Sequence, residues 1–180
     1  NADTLALGGS TDGTFDVTQI GSTFIGFGAY AKRDTNTWTL TGVSSVSTPW
    51  SVDAGILAVG QDASLGATSA ALTLNGGAFH VIGTSYTSTS RGIVLGAGGG
   101  EINIEAPSNV FTVNQVISGG GSVAKAGPGT LVLAAQNTFT GTARVSEGTL
   151  QLTSDASIAS ASGVEIASGA LFDVSNAGAQ

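Results

Sequence analysis

The chain contains no cysteine and no methionine, and its only histidine is His80. Without cysteine it can form no disulfide and offers no thiolate nucleophile. Zinc sites are built largely from cysteine and histidine, so a zinc site is excluded. The glycine-rich nonapeptide that binds calcium in some β-helices is also absent. We therefore expect no metal ion and no cofactor.

Charged side chains are scarce, at 9% of the chain against ~25% in an average protein, and the formal net charge is −7. Binding to nucleic acid requires clustered positive charge, so no nucleic acid partner is expected. No apolar run approaches ~20 residues, which argues against a membrane-spanning helix and against direct membrane insertion. The five cations are scattered along the sequence, at Lys32, Arg33, Arg91, Lys125 and Arg144.

Short stretches of alternating apolar and polar residues dominate the sequence, and clusters of glycine, serine, asparagine and aspartate separate them. Examples are Leu72-Thr73-Leu74, Ile102-Asn103-Ile104 and Leu150-Gln151-Leu152. In each stretch every second side chain can enter a core, as in a β-strand. No window shows the apolar spacing of a helix. The pattern predicts an all-β fold.

A long internal repeat becomes visible when the sequence is shifted by 93 residues. Lys32 then falls on Lys125 and Gly55 on Gly148, among ten identities without a gap over residues 31–66. Weaker matches extend the repeat to residues 26–79 and 119–171. We interpret residues 1–180 as a single solenoid segment, an excised part of a longer chain, because the sequence starts with Asn1 instead of methionine and residues 1–4 lack the character of a signal peptide.

A shorter period of about 20 residues runs inside each copy and predicts stacked coils. At ~22 residues per coil the chain would form roughly eight coils, a rod about 40 Å long. Equivalent residues of the two copies are expected at equivalent positions in the coils. Leu171 to Val174 are expected to form the last ordered rung, with order weakening after Asn176. The anchors spaced by 19, 22 and 23 residues are Trp38, Leu57, Phe79 and Ile102, and those spaced by 19 and 21 are Leu131, Leu150 and Leu171. The predicted interior residues are Trp38, Leu40, Leu57, Leu131, Leu133, Leu150 and Leu152.

The second copy resembles the autotransporter passenger-associated repeat. Residues 119–133 follow its pattern of paired glycines, a lysine and Gly-x-Gly-Thr-Leu-x-Leu, and residues 137–152 follow its Asn-Thr-aromatic and Gly-Thr-Leu-x-Leu elements. In the first copy Asp34-Thr35-Asn36 replaces Gly-x-Gly. The residues that carry the resemblance are Lys125, Gly127, Gly129, Thr130, Leu131, Leu133, Asn137, Thr138, Phe139, Gly141, Val145, Gly148, Thr149, Leu150 and Leu152.

This resemblance implies a right-handed parallel β-helix in the passenger of a bacterial autotransporter, exported by type V secretion. It implies a structural or adhesive role in a secreted or surface-displayed protein associated with the outer membrane, with repeats that assist folding and export. The implied partners are the remaining coils of the passenger, a C-terminal outer-membrane barrel of the parent chain, and a host or bacterial cell surface. The alternative interpretation is a non-catalytic part of a β-helical polysaccharide-active enzyme.

Few residues could support catalysis. His80 lies between Phe79 and Val81, so alternation directs its side chain outward, where we expect it to be exposed and inert. Glu101 and Glu105 share a strand face but lie about 13 Å apart by strand rise, too far for paired glycosidic carboxyls. The other close acidic pairs, Asp12 with Asp16 and Asp53 with Asp62, are interpreted as solvated. We therefore expect no enzymatic activity.

Overall fold

The computed structural model describes residues 3–177, and within this range all of the strand pairs are parallel. Two short 3₁₀ helices, Val17–Gln19 and Asp62–Leu65, are the only helices in the described part. The strands are β1 (Asp3–Leu7), β2 (Gly13–Asp16), β3 (Phe27–Lys32), β4 (Thr37–Thr41), β5 (Trp50–Val52), β6 (Ile56–Val59), β7 (Leu72–Leu74), β8 (Ala78–Val81), β9 (Ser88–Thr89), β10 (Ile93–Leu95), β11 (Gly100–Ile104), β12 (Val110–Val113), β13 (Ile117–Gly119), β14 (Val123–Ala126), β15 (Thr130–Leu133), β16 (Thr142–Val145), β17 (Thr149–Leu152), β18 (Gly163–Ile166) and β19 (Leu171–Asp173).

The strands form three parallel sheets, which are the faces of a solenoid. The first face is β1-β3-β5-β7-β10-β13, the second is β2-β4-β6-β8-β11-β14-β16-β18, and the third is β9-β12-β15-β17-β19. The second face has one strand in every coil, so its eight strands confirm the predicted eight coils of an all-β solenoid. The right hand of the helix stays a prediction, in line with the general rule for parallel crossovers.

The predicted anchors of the first copy form one interior column of the second face. Trp38 pairs with Leu57, Leu57 with Phe79, and Phe79 with Ile102. Each interval of 19 to 23 residues is therefore one coil. Leu57, Phe79 and Ile102 are buried, as predicted. Among the other predicted interior residues, those that are also buried are Leu40, Leu131, Leu133, Leu150 and Leu152.

Among the predicted anchors, Trp38 is confirmed only in part and Leu171 is wrong. Trp38 is only partly buried, because it packs over Gly13 of the preceding coil and its indole N–H donates to the Gly8 carbonyl over 3.2 Å. In the last coil Leu150 pairs with Phe172, whereas Leu171 pairs with Thr149 and is 54% exposed. The spacing to the interior position is thus one residue longer than predicted.

The last described strand is β19, within the predicted final rung of Leu171 to Val174. The expected weakening of order after Asn176 falls mostly on residues 178–180, which lie outside the described residues.

The two copies of the repeat lie on different faces of the solenoid. The first copy passes from β3 on the first face to β4 on the second, and the second copy passes from β14 on the second face to β15 on the third. From β3, four coil steps along the first face lead to β13, and β14 is the next strand of the chain. The shift of 93 residues is therefore four coils and one face, so the expected equivalence of coil positions is wrong.

Candidate functional site: the lysine corners of the repeat

Lys125 points into the solenoid. It lies in β14 in line with the buried Val123, and its register neighbours in the adjacent coils are the buried Ile102 and Val145. Its side chain is 1% exposed. A charged ammonium among apolar side chains is costly unless hydrogen-bond acceptors surround it. The acceptors here come from the main chain.

The Lys125 ammonium donates three hydrogen bonds to carbonyl oxygens at the adjoining corner. The distances from Nζ are 2.8 Å to Ala126, 2.7 Å to Gly127 and 3.0 Å to Glu147. Ala126 and Gly127 directly follow the lysine, whereas Glu147 belongs to the next coil. The lysine therefore joins two consecutive coils at one corner.

Lys32 makes the same contacts in the first copy, although it lies on a different face. Its ammonium donates to the carbonyls of Arg33, Asp34 and Ala54 over 2.5, 2.7 and 3.2 Å. The 93-residue shift carries each of these acceptors onto the corresponding Lys125 acceptor. An additional bond of 3.1 Å reaches the Asn36 side-chain oxygen.

A glycine with positive φ closes each corner. Gly55 and Gly148 both have φ of 63°. A Cβ on Gly148 would overlap the carbonyl oxygens of Gly127 and Gly129, so both space and conformation require glycine here. Asp34 has φ of 61°, close to the 74° of Gly127. The first copy thus keeps the backbone of the corner despite its different sequence.

We define a lysine corner as the buried lysine, the two residues after it, and the closing pair of the next coil. These segments are 32–34 with 54–55, and 125–127 with 147–148. Burial lowers the pKa of Lys125 to about 8, although the charges of Glu147 and Glu101 act in the opposite direction. Burial also lowers the pKa of Lys32. The pKa of about 8 leaves the Lys125 ammonium mostly protonated at neutral pH, where it can make all three bonds.

Asn137 connects three coils in a region without a strand. Its side-chain oxygen accepts from the Ile117 amide over 2.9 Å, and its amide group donates to the carbonyls of Ala135 and Ser157 over 2.8 and 3.0 Å. The side chain thus replaces strand pairing where the first face has ended. The neighbouring Phe139 is buried.

The remaining residues of the predicted motif lie in the strands and corners around the lysine. Gly141 lies so close to the Gly121 carbonyl that a side chain would overlap it. Thr138 donates its amide to the Ile117 carbonyl over 2.9 Å. The residues of the motif that lie in β15, β16 and β17 or directly before β15 are Gly129, Thr130, Leu131, Leu133, Val145, Thr149, Leu150 and Leu152.

His80 points outward, as predicted, but it is not exposed. Its side chain is 13% accessible, and its ring nitrogens approach Glu105 at 2.7 Å and Glu101 at 3.6 Å. Because Asn103 of β11 pairs with His80, the two glutamates flank the imidazole from either side. Both carboxylates therefore meet on one histidine, which their separation along the strand did not indicate.

The environment of His80 shifts its titration. Burial lowers the pKa of His80, but the hydrogen bonds to Glu101 and Glu105 and their charges outweigh it, so the net shift is upward. The bond to His80 lowers the pKa of Glu101. The register partners of His80 in the preceding and following coils are Ala58 and Asn103, and neither residue is a nucleophile. The arrangement is that of an ion-pair clamp between two coils.

The other acidic pairs are separated into individual hydrogen bonds. Asp12 accepts from the Thr37 amide, and Asp16 accepts from Thr18. The interpretation of Asp62 as solvated is wrong, because its carboxylate is mostly buried and accepts from the hydroxyls of Tyr86 and Thr89 over 2.7 Å. No group of three or more histidine, aspartate or glutamate side chains in residues 3–177 is placed to hold a metal ion. In the same range, no helix is long and apolar enough to cross a membrane.

Arg91 is a third buried cation, which the sequence analysis assigned no role. It is 1% exposed, and its guanidinium donates to the carbonyls of Gly66, Ala67 and Ala70 over 2.9, 2.8 and 2.5 Å. Asp62 lies 3.6 Å away. Three of the five cations in the sequence are thus bound to interior carbonyls.

A cleft of about 540 Å³ runs along the corner between the first and second faces. Six of its lining residues are glycines, and the charged residues that line it come from three coils, namely Glu101, Arg144 and Glu165. Arg144 and Glu165 are well exposed and 4.0 Å apart. The volume is in the range of ligand sites. Three consecutive glycines, Gly98 to Gly100, are among the lining residues.

Two segments of the chain match the family model described as Passenger-associated-transport-repeat, at residues 31–59 and 123–152. Each segment contains one complete lysine corner. Over 146 residues the chain is also 32% identical to the Adhesin BmaC autotransporter of Brucella suis biovar 1 (strain 1330), in an alignment that covers 81% of this chain. The chain is a segment of an autotransporter passenger.

This passenger segment spans only 4% of the length of that Brucella relative. No solved structure matches it. In the passenger segment, the matched repeats coincide with the corners at which a lysine joins two coils. The recognisable sequence of the repeat therefore encodes a corner and the strands on either side of it.

Proposed function

We propose that this segment is a structural and adhesive part of an autotransporter passenger displayed on the bacterial surface, and that it has no enzymatic activity. The observation that carries the proposal is the presence of two passenger repeats, each built on a lysine corner, in one continuous parallel solenoid. The adhesive role is supported by the similarity to a protein whose name describes it as an adhesin.

The outer surface of the segment favours some partners over others. Among the described residues the exposed cations are Arg33 and Arg144, and each lies near a carboxylate, at 3.8 and 4.0 Å. The other cations are buried. The surface is therefore more acidic than the net charge suggests, which favours neutral or basic partners over nucleic acid or anionic lipid.

The repeats would assist folding and export of the passenger. Each lysine corner ties a coil to its successor through main-chain bonds, so it supports continued stacking of coils. In the parent chain the segment would stack on further coils, and a C-terminal outer-membrane barrel would carry it to the surface. The cell surface of a host or of another bacterium is the proposed target.

The enzyme alternative has less support. His80, Glu101 and Glu105 engage one another, and no nucleophilic side chain of the outer column lies beside them. The cleft contains glutamates on different coils, Glu101 and Glu165, that are separated by three register steps, or about 14 Å. Glycoside hydrolysis needs carboxyls roughly 5 to 9.5 Å apart.

The proposal is tested by deleting this segment from the parent autotransporter and measuring surface display and cell adhesion separately. Loss of adhesion with display retained supports the adhesive role. Loss of both supports the role in folding and export. Unchanged adhesion at unchanged display contradicts the adhesive proposal. Double alanine substitution of Arg144 and Glu165 then tests whether the cleft contributes to adhesion.

A further inference from the structure

The two lysines in the corners are the only lysines in the chain. Each ammonium has acceptors of two origins. Two carbonyls directly follow the lysine, such as Ala126 and Gly127, and one belongs to the next coil, such as Glu147. The complete acceptor set therefore exists only after the next coil has docked.

The burial of each lysine also depends on the next coil. The strand partner of Lys125 in that coil is Val145, and the partner of Lys32 is Val52. Both valines are fully buried. Before docking, the ammonium would face water on this side, and its carbonyls would be solvated. After docking the lysines are 0% and 1% exposed.

Docking of the next coil in a wrong register is energetically unfavourable. A shift of the next coil by one residue would turn its polar side chains inward, so it is already disfavoured by the alternation of the strand. A shift by two residues would keep an apolar strand face over the lysine, but the carbonyl of Glu147 or Ala54 would leave its position. The Lys125 ammonium would then lack an acceptor for one N–H, which is strongly destabilising in a buried site. The Lys32 ammonium would keep the Asn36 side-chain oxygen as a third acceptor, so its penalty is smaller. An apolar residue at the same site would tolerate such a shift more readily, because dispersion contacts have little directionality.

We propose that Lys32 and Lys125 are positioning residues that couple the docking of each repeat to the docking of the coil that follows it. The lysine first binds the two carbonyls of its own corner. It becomes fully buried when the next coil docks and places a third carbonyl in the correct register. This inference deepens the proposed role of the repeats in folding and names the residues through which they act. It does not depend on the adhesive role.

The recurrence of the corner on another face supports this inference. A lysine that served only to fill one face of the core would keep its column, but Lys32 and Lys125 lie in different sheets. The hydrogen-bond set is preserved instead, down to the three carbonyl positions. The repeat therefore preserves the junction between coils.

The chain offers a direct experiment, because amine labelling reports on only two side chains and the N-terminal amine. The pKa of Lys125 is about 8, close to ~7.7–8.0 for an α-amino group, so at pH 8 their labelling rates differ mainly through access. In the folded full chain we expect Lys125 to react with an acetylating reagent roughly tenfold or more slowly than the N-terminal amine. Equal rates would overturn the inference.

Glycine substitutions allow the two lysine corners to be tested independently. A Cβ on Gly148 would overlap carbonyls at the Lys125 corner, and a Cβ on Gly55 would overlap those at the Lys32 corner. Gly148→Ala should expose Lys125 and leave Lys32 protected, and Gly55→Ala should do the reverse. Gly120→Ala is the matched control, because no atom lies near its added Cβ. Continued protection of both lysines in both variants would contradict the proposal.

Refolding of the unmodified chain decides the matter even if a glycine variant fails to fold. Pulses of amine label and of amide exchange are applied at increasing refolding times. Lys125 should become protected together with the amides of the next coil, residues 149–152. Protection of Lys125 together with residues 123–126, before residues 149–152, would show that its own coil suffices and would overturn the proposal.

Discussion

The ammonium of Lys125 lies 3.0 Å from the carbonyl oxygen of Glu147, 22 residues further along the chain and one coil away. Lys32 and Ala54 have the same sequence separation and the same bond, at 3.2 Å. These two contacts occupy different faces of the solenoid. The passenger repeat therefore preserves a junction between consecutive coils, and that junction accounts for its lysine and its closing glycine.

Loss of the Lys125 ammonium should destabilise the segment. In Lys125→Met the carbonyls of Ala126, Gly127 and Glu147 lose their donor inside the core, which should cost about 2–5 kcal/mol in the free energy of unfolding. Urea unfolding followed by circular dichroism measures the change. Arg144→Met is the control, because its exposed pair should contribute less than about 1 kcal/mol. Equal effects of the two substitutions would refute the structural role of the corner.

Truncation of a core leucine should have a comparable effect by a different mechanism. Leu133 is 1% exposed, so Leu133→Ala should cost about 2–5 kcal/mol through lost burial and an unfilled cavity. Val164→Ala, at a side chain that is 41% exposed, should change stability by about 0.5 kcal/mol or less. Thermal or urea unfolding compares the two. A small effect of Leu133→Ala would mean that the core around this side chain is not tightly packed.

The His80 clamp should make stability depend on pH. The folded-state pKa of His80 is raised above the ordinary value of about 6.5. Its stabilising contribution is therefore complete below that ordinary value and is lost as the pH rises through the raised folded-state pKa. The melting temperature of the unmodified chain should fall, relative to His80→Gln, when the pH rises through this range. Parallel melting curves of the two proteins would argue against the clamp.

Part of this architecture could be predicted from the sequence. The spacing of Trp38, Leu57, Phe79 and Ile102 predicts one coil per interval because interior positions recur once per coil. The face occupied by each copy could not be predicted, because the coil intervals vary from 19 to 23 residues and a shift of 93 residues fits either four whole coils or four coils and one face. Leu171 and Phe172 could not be distinguished either, since both are apolar and adjacent.

The contacts of the polar residues were harder to predict. Alternation correctly directs His80 outward, and the spacing of Phe79 and Ile102 implies that His80 lies opposite Asn103, between Glu101 and Glu105. The contacts themselves depend on side-chain conformations that no sequence pattern indicates. Lys125 is recognisable as part of the repeat. Its acceptors are main-chain carbonyls, which every residue has, so no sequence pattern identifies them.

The better-preserved repeat should lie in the more stable part of the segment. In β15 three consecutive residues, Leu131 to Leu133, are buried, whereas in β4 Trp38 is only partly buried. Amide hydrogen exchange should therefore be slower at residues 131–133 than at residues 38–40. The reverse order would place the stable nucleus in the first copy.

The lysine corner itself can be observed by nuclear magnetic resonance of the full chain with only lysine isotope-labelled. Two sets of terminal methylene signals are expected, one from the lysine of each corner. The account predicts that the terminal methylene protons of Lys125 show nuclear Overhauser contacts to the amide of Gly148, and that those of Lys32 show the equivalent contacts to Gly55. Two sharp lysine methylene signals with the chemical shifts of an unfolded chain and without these contacts would contradict the account.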